Sequence, residues 1–398
     1  MAREHWLRLA MTEGIGPILI QRLVERAGGA EAACEASAAL LQSIEGIGSS
    51  KSAAIRESMR NAKVEAELAR CDQLGVRIIC RDDEEYPTLL AQIPDPPPVL
   101  YVKGGFEPRD LNGIAIVGSR KCSYYGREQS ERFAALLAGA GFTVISGGAR
   151  GIDSAAHRGA MSHPSGRTIA VLGSGIDVPY PPENAALFEQ IATKGAVVSE
   201  YPLGTPPLRD NFPRRNRIVS GLSRGVLVIE ADERSGALIT ARQACDDHGR
   251  TVFAVPGRVD QSTSAGPHTL IRDGAVLTTN IEDIINNLDP LPQAAAEPTL
   301  FADLESTETA DGAKPQAASG ASSPSLVVSQ RDVASNLTDR QRLILSHLDS
   351  ESLHVDQLIE RTALPPQEVL GELTLLSLRG IVRRVDGQSF ARTKGAKA

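Results

Sequence analysis

The chain has 398 residues, more than one hydrophobic core supports, since single cores stop growing at about 250–300 residues; two or three domains are expected. Its 42 Lys and Arg stand against 49 Asp and Glu, a net charge of −7, which excludes a protein that coats nucleic acid through an overall positive field and confines any polyanion site to a local cluster. Five scattered cysteines without CxxC spacing exclude a disulfide framework and a zinc ribbon, no apolar run approaches the ~20 residues of a membrane span, and the opening "MAREHWLRLAMTEGIG" has no signal-peptide core, so a reduced cytoplasm and no membrane partner are expected.

Residues 1–82 read as helices broken by two Gly-Ile-Gly turns, in "MTEGIGPILIQRLVERAGG" and "IEGIGSSKSAAIRESMR". The repeat predicts a helical domain of SAM or helix-hairpin-helix type. Two readings of the turns stand side by side. Amides freed at a helix N-terminus can meet a phosphate, or the glycines only permit tight corners in a small bundle; the scarcity of basic residues beside either turn favours the corners. Residues 84–105, "EEYPTLLAQIPDPPPVLYVKGG", read as a Pro-rich bridge without chemistry of its own.

The main domain is expected over residues 83–289. Short β-branched runs, "IAIVG", "FTVIS", "TIAVLG", "AVVSE", "VLVIE", "TVFAVP" and "AVLT", are each followed by a helix-like stretch. Continuous apolar strands separated by helices mean strands buried on both faces, hence an α/β domain with a doubly wound parallel sheet. The first three strands end in glycine-rich loops: "VGSR" (117–120), "SGGARGID" (146–153) and "LGSGID" (172–177). Glycine at the carboxyl edge of a parallel strand lets the backbone approach a ligand, and the next helix offers free amides and a positive dipole end to an anion. Gly118, Ser119, Arg120, Ser146, Gly147, Gly148 and Gly151 are therefore candidate phosphate contacts in one crevice.

No cofactor is expected there. "SGGARGID" follows the second strand, without the later acidic residue that would hold a ribose, and no GxxxxGK[ST] occurs. The seven histidines form no HxxxH or HExxH pair, so no metal is expected, and His157 reads as a helix-packing residue.

The crossover stretch "NFPRRNRIVSG" (211–221) lies between the fourth and fifth of these strands and should enter the same edge. Arg214, Arg215 and Arg217 fall within one helical turn; with Arg209 and Arg224, residues 205–224 carry five positive charges against the single Asp210, an electrostatic footprint for a polyphosphate. Asn216 and Arg217, in a helix pressed on the sheet, are the candidates with the strongest claim to a purely structural role. In "EADERSGALITARQA" (230–244), Ser235, Gly236 and Thr240 sit near the first amides of the next helix, where hydroxyls either cap it or bond phosphate oxygens. "VPGRVD" (255–260) supplies a last turn on the same edge.

Residues 290–335 turn to Ala, Pro, Ser, Thr and acidic residues, too poor in large apolar side chains to offset their ordering entropy, and read as a flexible linker. Residues 336–398 show three helical periodicities and a Gly-turned hairpin, a winged helix-turn-helix. Its third helix, 366–379, carries Glu368 and Glu372 and no basic residue before Arg379, which is poor equipment for a major groove; duplex reader, protein contact and stabilising module all stay open.

Taken together, "VGSR", "SGGARGIDSAAHRGAM", "VLGSGIDVPYPPEN", the run from "VSEYPLGTPPLRDNFPRRNRIVSG" to "EADERSGALITARQA", and "VFAVPGRVDQSTSAGPHTLIRDGA" closely resemble the DNA-processing protein A family, DprA or Smf, over about residues 86–288. The resemblance implies an extended Rossmann domain that pairs into a homodimer and a cytoplasmic protein that is not an enzyme. It implies binding of single-stranded DNA during natural transformation, protection of that DNA, and loading of the RecA recombinase onto it. Carried over by position, it assigns DNA contact to Arg120, the 146–151 loop, Arg215 and Arg217. Two departures are visible: the "YPPEN" and "YPLGTPP" loops are Pro-rich and hold no basic residue where family members often carry one. The competing class is an enzyme, because the sheet also resembles that of the lysine decarboxylase-like nucleotide phosphoribohydrolases. Their PGGxGTxxE motif is replaced here by "SGALITARQ", with Gln243 where the acting glutamate is needed, and an amide cannot serve as general base. A third class, transcription regulator, rests on the winged helix alone.

Overall fold

A computed structural model of the chain describes residues 2–288 and, further on, 338–348, 353–362, 364–378, 381–386 and 389–392. The chain divides into two compact units, 1–291 and 292–398. The expected linker, 290–335, lies outside the described residues.

The first unit begins with helices α1 (Ala2–Ala10), α2 (Pro17–Ala27), α3 (Ala30–Cys34), α4 (Ala38–Gln42), α5 (Ser49–Asn61) and α6 (Val64–Leu74). The second residue of each Gly-Ile-Gly turn faces inward, Ile47 fully, while Gly14 and Gly46 take φ of 84° and 94°, the left-handed region that glycine reaches without steric cost. The Lys51 ammonium donates to the Gly46 carbonyl at 3.2 Å, so the second turn's nearest cation is folded back on the turn itself. These turns act as corners of a bundle.

The chain then enters the sheet with β1 (Arg77–Cys80), passes α7 (Thr88–Ala91), and continues through β2 (Val99–Gly104), β3 (Gly113–Val117), α8 (Tyr124–Gly139), β4 (Thr143–Ser146), α9 (Ile152–Ser162), β5 (Arg167–Val171), α10 (Ala185–Lys194), β6 (Ala196–Ser199), α11 (Asn211–Gly221), β7 (Gly225–Val228), α12 (Gly236–Arg242), β8 (Thr251–Ala254), α13 (Ala265–Arg272), β9 (Val276–Leu277) and α14 (Ile281–Ile285). Among the described residues the strands of this sheet run in the order β1-β2-β6-β5-β4-β3-β7-β8-β9. β3 to β9 are parallel, as their continuous apolar runs require, and every residue of β3 to β7 is buried.

Two strands lie beyond the sequence-based expectation. β1 pairs antiparallel with β2, and β2 antiparallel with β6, so the stretch read as a bridge supplies an inner strand and the stretch read as helical supplies an edge. Five consecutive residues, "PDPPP", hide this: proline punctuates the pattern just before Val99, although the strand itself contains none. One apolar cluster joins Trp6, Leu23 and Ile55 of the helices to Tyr101, Leu172 and Phe188 of the sheet layer, so helical layer and sheet share a core.

The chain departs from β3 in both directions, to β4 on one side and to β7 on the other, which makes the carboxyl ends of β3 and β7 the topological switch point, where open α/β sheets leave a crevice.

The second unit contains α15 (Asp339–His347), β10 (Leu353–His354), α16 (Val355–Thr362), α17 (Pro366–Leu378), β11 (Val382–Asp386) and β12 (Ser389–Arg392), with β12 between β10 and β11. Its core gathers Ile344, Leu358, Leu373 and Phe390. Among the described residues no helix is long and apolar enough to cross a membrane.

Candidate nucleic-acid interface

A crevice of about 640 Å³ opens at the switch point. The turn after β3 forms one wall. Ser119 N donates to the Glu230 carbonyl after β7 at 2.7 Å, and Ile152 N of α9 donates to the Ser119 carbonyl at 3.3 Å, so the Gly118–Ser119–Arg120 turn is tied to both neighbouring strand ends. Arg120 is thereby delivered, exposed, to the mouth. Its guanidinium stands 5.0 Å from the centroid of the Phe212 ring, and that ring lies 5.5 Å from Tyr180 at an angle of 48°. Cation and aromatic faces thus line one side of the opening.

Arg215 forms the floor. Its side chain is buried, and Nη1 donates to the carbonyl oxygens of Gly147, at 2.5 Å, and Val171. Burial pushes its pKa down to about 10, against the opposing pull of Asp153. The Asp153 carboxyl, in the first turn of α9, is itself pushed up by burial and pulled back by Arg215; its Oδ2 accepts from Ala149 N at 3.2 Å. Arg215 therefore braces the loop after β4 and gives the floor a positive charge.

The opposite wall is the start of α12. Ser235 Oγ caps the helix by accepting from Ala237 N at 3.3 Å, Asn216 Nδ2 donates to the Gly236 carbonyl at 3.3 Å, and Thr240 lies buried behind. Five basic residues line the crevice, Arg120, Lys121, Arg209, Arg215 and Arg234, against the two acidic Asp153 and Asp232. In a chain of net charge −7 this is the local reversal of sign that a polyanion needs.

Of the candidates named from sequence, Gly118, Ser119, Arg120, Gly147, Arg215, Asn216, Ser235, Gly236 and Thr240 come together here. Ser146, Gly148, Gly151, Arg214 and Arg217 do not line the crevice. Ser146 is buried and its hydroxyl donates to the Ile116 carbonyl at 2.6 Å, while Gly148 and Gly151, with φ of 67° and 74°, turn the chain behind the wall. Arg217 is buried in an ion-pair network, 2.9 Å from Asp95 and 2.5 Å from Glu200. Arg214 is exposed on the outer side of α11, and Arg224, at the far end of that helix, donates to Asn112 Oδ1 at 2.9 Å. The linear arginine cluster is thus dispersed in space.

The third glycine loop also changes role. Gly173 lies under the Phe212 ring, where an added Cβ would stand 2.9 Å from the ring, so this loop seats the aromatic side chain instead of lining the crevice. The 255–260 turn does not line the crevice: Arg258 pairs with Asp260 at 2.8 Å, and the carbonyls of Pro256 and Gly257 face Tyr125 Oη at 3.2 Å and His268 Nε2 at 3.0 Å. Sequence reasoning passed over Lys121, Arg234, Asp153 and Asp232; the first two adjoin a residue already chosen and the others lie two and three residues from one, so position near a strand-end turn was the available signal. His157 is fully buried with Nδ1 2.7 Å from Thr168 Oγ1, and burial holds its pKa down at about 3, in keeping with a packing role.

Sheet order and crevice together define a doubly wound α/β protein with a basic, aromatic-edged cleft at the switch point. The chain belongs to the DNA recombination-mediator protein A family, whose model matches residues 77–289; the DprA winged-helix model matches residues 329–388. It is 35% identical to Protein Smf of Synechocystis over 397 residues, 98% of either chain, and 44% identical to the DNA processing protein DprA of Streptococcus pneumoniae over 203 residues, 51% of this chain and 71% of that one. The X-ray structure of the Streptococcus pneumoniae protein superposes with a TM-score of 0.63 at 35% identity, covering 72% of this chain and 98% of the other.

Proposed function

We propose that the crevice binds single-stranded DNA, with phosphates set against Arg120, Lys121 and Arg209, and a base against Phe212 and Tyr180. The observation that carries this reading is the Arg120–Phe212–Tyr180 edge beside a floor of positive charge. A flexible single strand can turn a base towards a protein ring while its phosphates meet cations, whereas a duplex keeps its bases stacked inside. The contacts available are to backbone phosphate and base face, so binding is expected to ignore sequence.

The protein acts on this reading as a binding protein and not as a phosphoribohydrolase. Gln243, at the position of the hydrolase glutamate, follows the end of α12 and does not line the crevice. In keeping with the family resemblance, the bound strand is protected and handed to the RecA recombinase in the cytoplasm, and the sheet domain pairs into a homodimer, whose two crevices raise avidity on a long strand. The division of labour is residues 1–82 as helical layer, 83–289 as DNA-binding domain, 290–335 as tether and 336–398 as winged helix. Titration of a fluorescent oligothymidylate, single-stranded and as a duplex with oligoadenylate, across a salt series tests this. Preference for the single strand with a log-log salt slope of roughly 0.7 per phosphate engaged is expected; equal affinity for both forms, or affinity indifferent to salt, sinks the reading.

A further inference from the structure

The helical layer reaches the crevice indirectly, through one helix and one loop. Glu67 on α6 is 8% exposed, and its Oε1 accepts a hydrogen bond from the backbone amide of Leu203 at 2.7 Å. One turn along the same helix, Arg70 donates to Asp177 Oδ2 at 2.5 Å, and Asp177 Oδ1 accepts from Gly204 N at 2.7 Å. The amide of Gly175 completes the set, donating to the Thr205 carbonyl at 2.9 Å. All four contacts fall on the segment between β6 and α11 or on the 173–177 loop beneath it. That segment brings Arg209 to the crevice and fixes where α11, with Phe212, begins.

A layer that merely covered the sheet would need only the apolar contacts of the shared core. Taking a carboxylate out of water for one loop amide costs free energy unless that bond is made, and once made it leaves the amide no equally good partner elsewhere. Glu67 thus ties the loop's conformation to the position of α6. The Arg70 side chain is half exposed and that of Asp177 mostly buried, and their pairing keeps Asp177 aimed at Gly204.

We propose that α6 is a positioning element for the DNA crevice, with Glu67 and Asp177 as positioning residues that hold the β6–α11 loop so that Arg209 and Phe212 face the strand. The inference rests on the reading of the crevice as a single-stranded DNA site. It makes the N-terminal helices a buttress of that site and not a second DNA-binding module.

The test is a double-mutant cycle in the full chain, read as Kd for a fluorescent oligothymidylate. Glu67→Ala is expected to weaken binding at least fivefold, whereas Glu67→Gln, which retains the acceptor oxygen, stays within twofold of wild type. In an Arg209→Ala background the same Glu67→Ala change is expected to cost a smaller factor than in the wild-type chain, because one of the two groups that the loop positions is already gone. Asp177→Ala repeats the cycle should Glu67→Ala fail to fold. Wild-type affinity in Glu67→Ala, or a loss of the same factor with and without Arg209, overturns the proposal while leaving the crevice reading intact. Failure of the wild-type chain to bind the oligonucleotide overturns both.

Discussion

Arg215 and Gly147 are fitted to one another: the guanidinium donates to the Gly147 carbonyl at 2.5 Å, and a Cβ added to Gly147 would lie 2.3 Å from the same Nη1. The loop after β4 and the helix α11 are therefore locked together by a residue that also supplies the floor's charge. Replacing Arg215 by Ala takes a donor from the buried carbonyls of Gly147 and Val171 and removes the larger of the positive charges acting on Asp153. A loss of about 3 kcal/mol or more in unfolding free energy is expected. Arg215→Lys recovers little, since an ammonium lacks the planar fork. Urea unfolding of the two variants checks this; an Arg215→Ala protein as stable as wild type would remove Arg215 from the fold's support.

Arg120 offers the contrast. It is exposed, and what it touches is the Phe212 ring, so its removal takes charge from the crevice mouth without opening a cavity. Arg120→Ala is expected to unfold at the same urea concentration as wild type yet bind an oligothymidylate about tenfold more weakly at low salt, equivalent to about 1.4 kcal/mol. Phe212→Leu, which keeps bulk but loses the ring face, should weaken binding by a similar factor, as removal of one stacking platform costs about 1–3 kcal/mol. Fluorescence anisotropy measures both, and unchanged affinity in either variant excludes that residue from the site.

The pattern of β3 to β8 was legible from sequence because strands buried on both faces are continuous apolar runs, and the glycine-rich loops mark the carboxyl edge whichever way the sheet is ordered. β2 escaped because the prolines before it imitate a linker, and an antiparallel partner so far along the chain leaves no local trace. The arginine cluster was legible as a site but not residue by residue. In a helix each residue turns about 100° from the last, so Arg214, Arg215 and Arg217 leave α11 in three directions, towards solvent, the crevice floor and the Glu200–Asp95 pair. Which direction meets the ligand depends on the rotation of α11 about its axis, a tertiary quantity.

Acid stability is expected to carry the signature of His157. Its folded pKa is about 3, below the 6.5 of an ordinary histidine, because burial disfavours the charged ring. Between those values the unfolded chain binds the proton and the folded chain does not, so this histidine's contribution is present above pH 6.5 and is lost as pH falls towards 3. The loss is up to about 1.4 kcal/mol per pH unit. Asp153 and Glu200, both raised by burial, act with the opposite sign, so the comparison must be with a variant and not with theory alone. His157→Gln, which keeps a polar atom for Thr168, should be less stable than wild type at pH 7.5 and should lose less stability than wild type between pH 6.5 and 4.5 in urea titrations. Parallel pH profiles would show that His157 does not titrate on unfolding.

The winged helix is expected to be dispensable for binding single-stranded DNA. Residues 336–398 hold nine basic and eight acidic side chains, a net of one, too little for a strong hold on phosphates. Both carboxylates of the candidate recognition helix α17 are engaged inside its own unit: Glu368 pairs with Arg340 at 3.2 Å and Glu372 accepts from Gln341 at 2.7 Å. Carboxylates on a groove-facing helix would repel a phosphate backbone. The basic residues at 379–384, around the strand β11, leave weak duplex contact as the one nucleic-acid role the unit is equipped for. We propose that residues 290–335 act as a flexible tether, on which any help the unit gives the crevice is one of effective concentration. A chain ending at Pro290 is thus expected to bind an oligothymidylate within a factor of two of the full chain. A loss of tenfold or more, about 1.4 kcal/mol, would place the winged helix within the site.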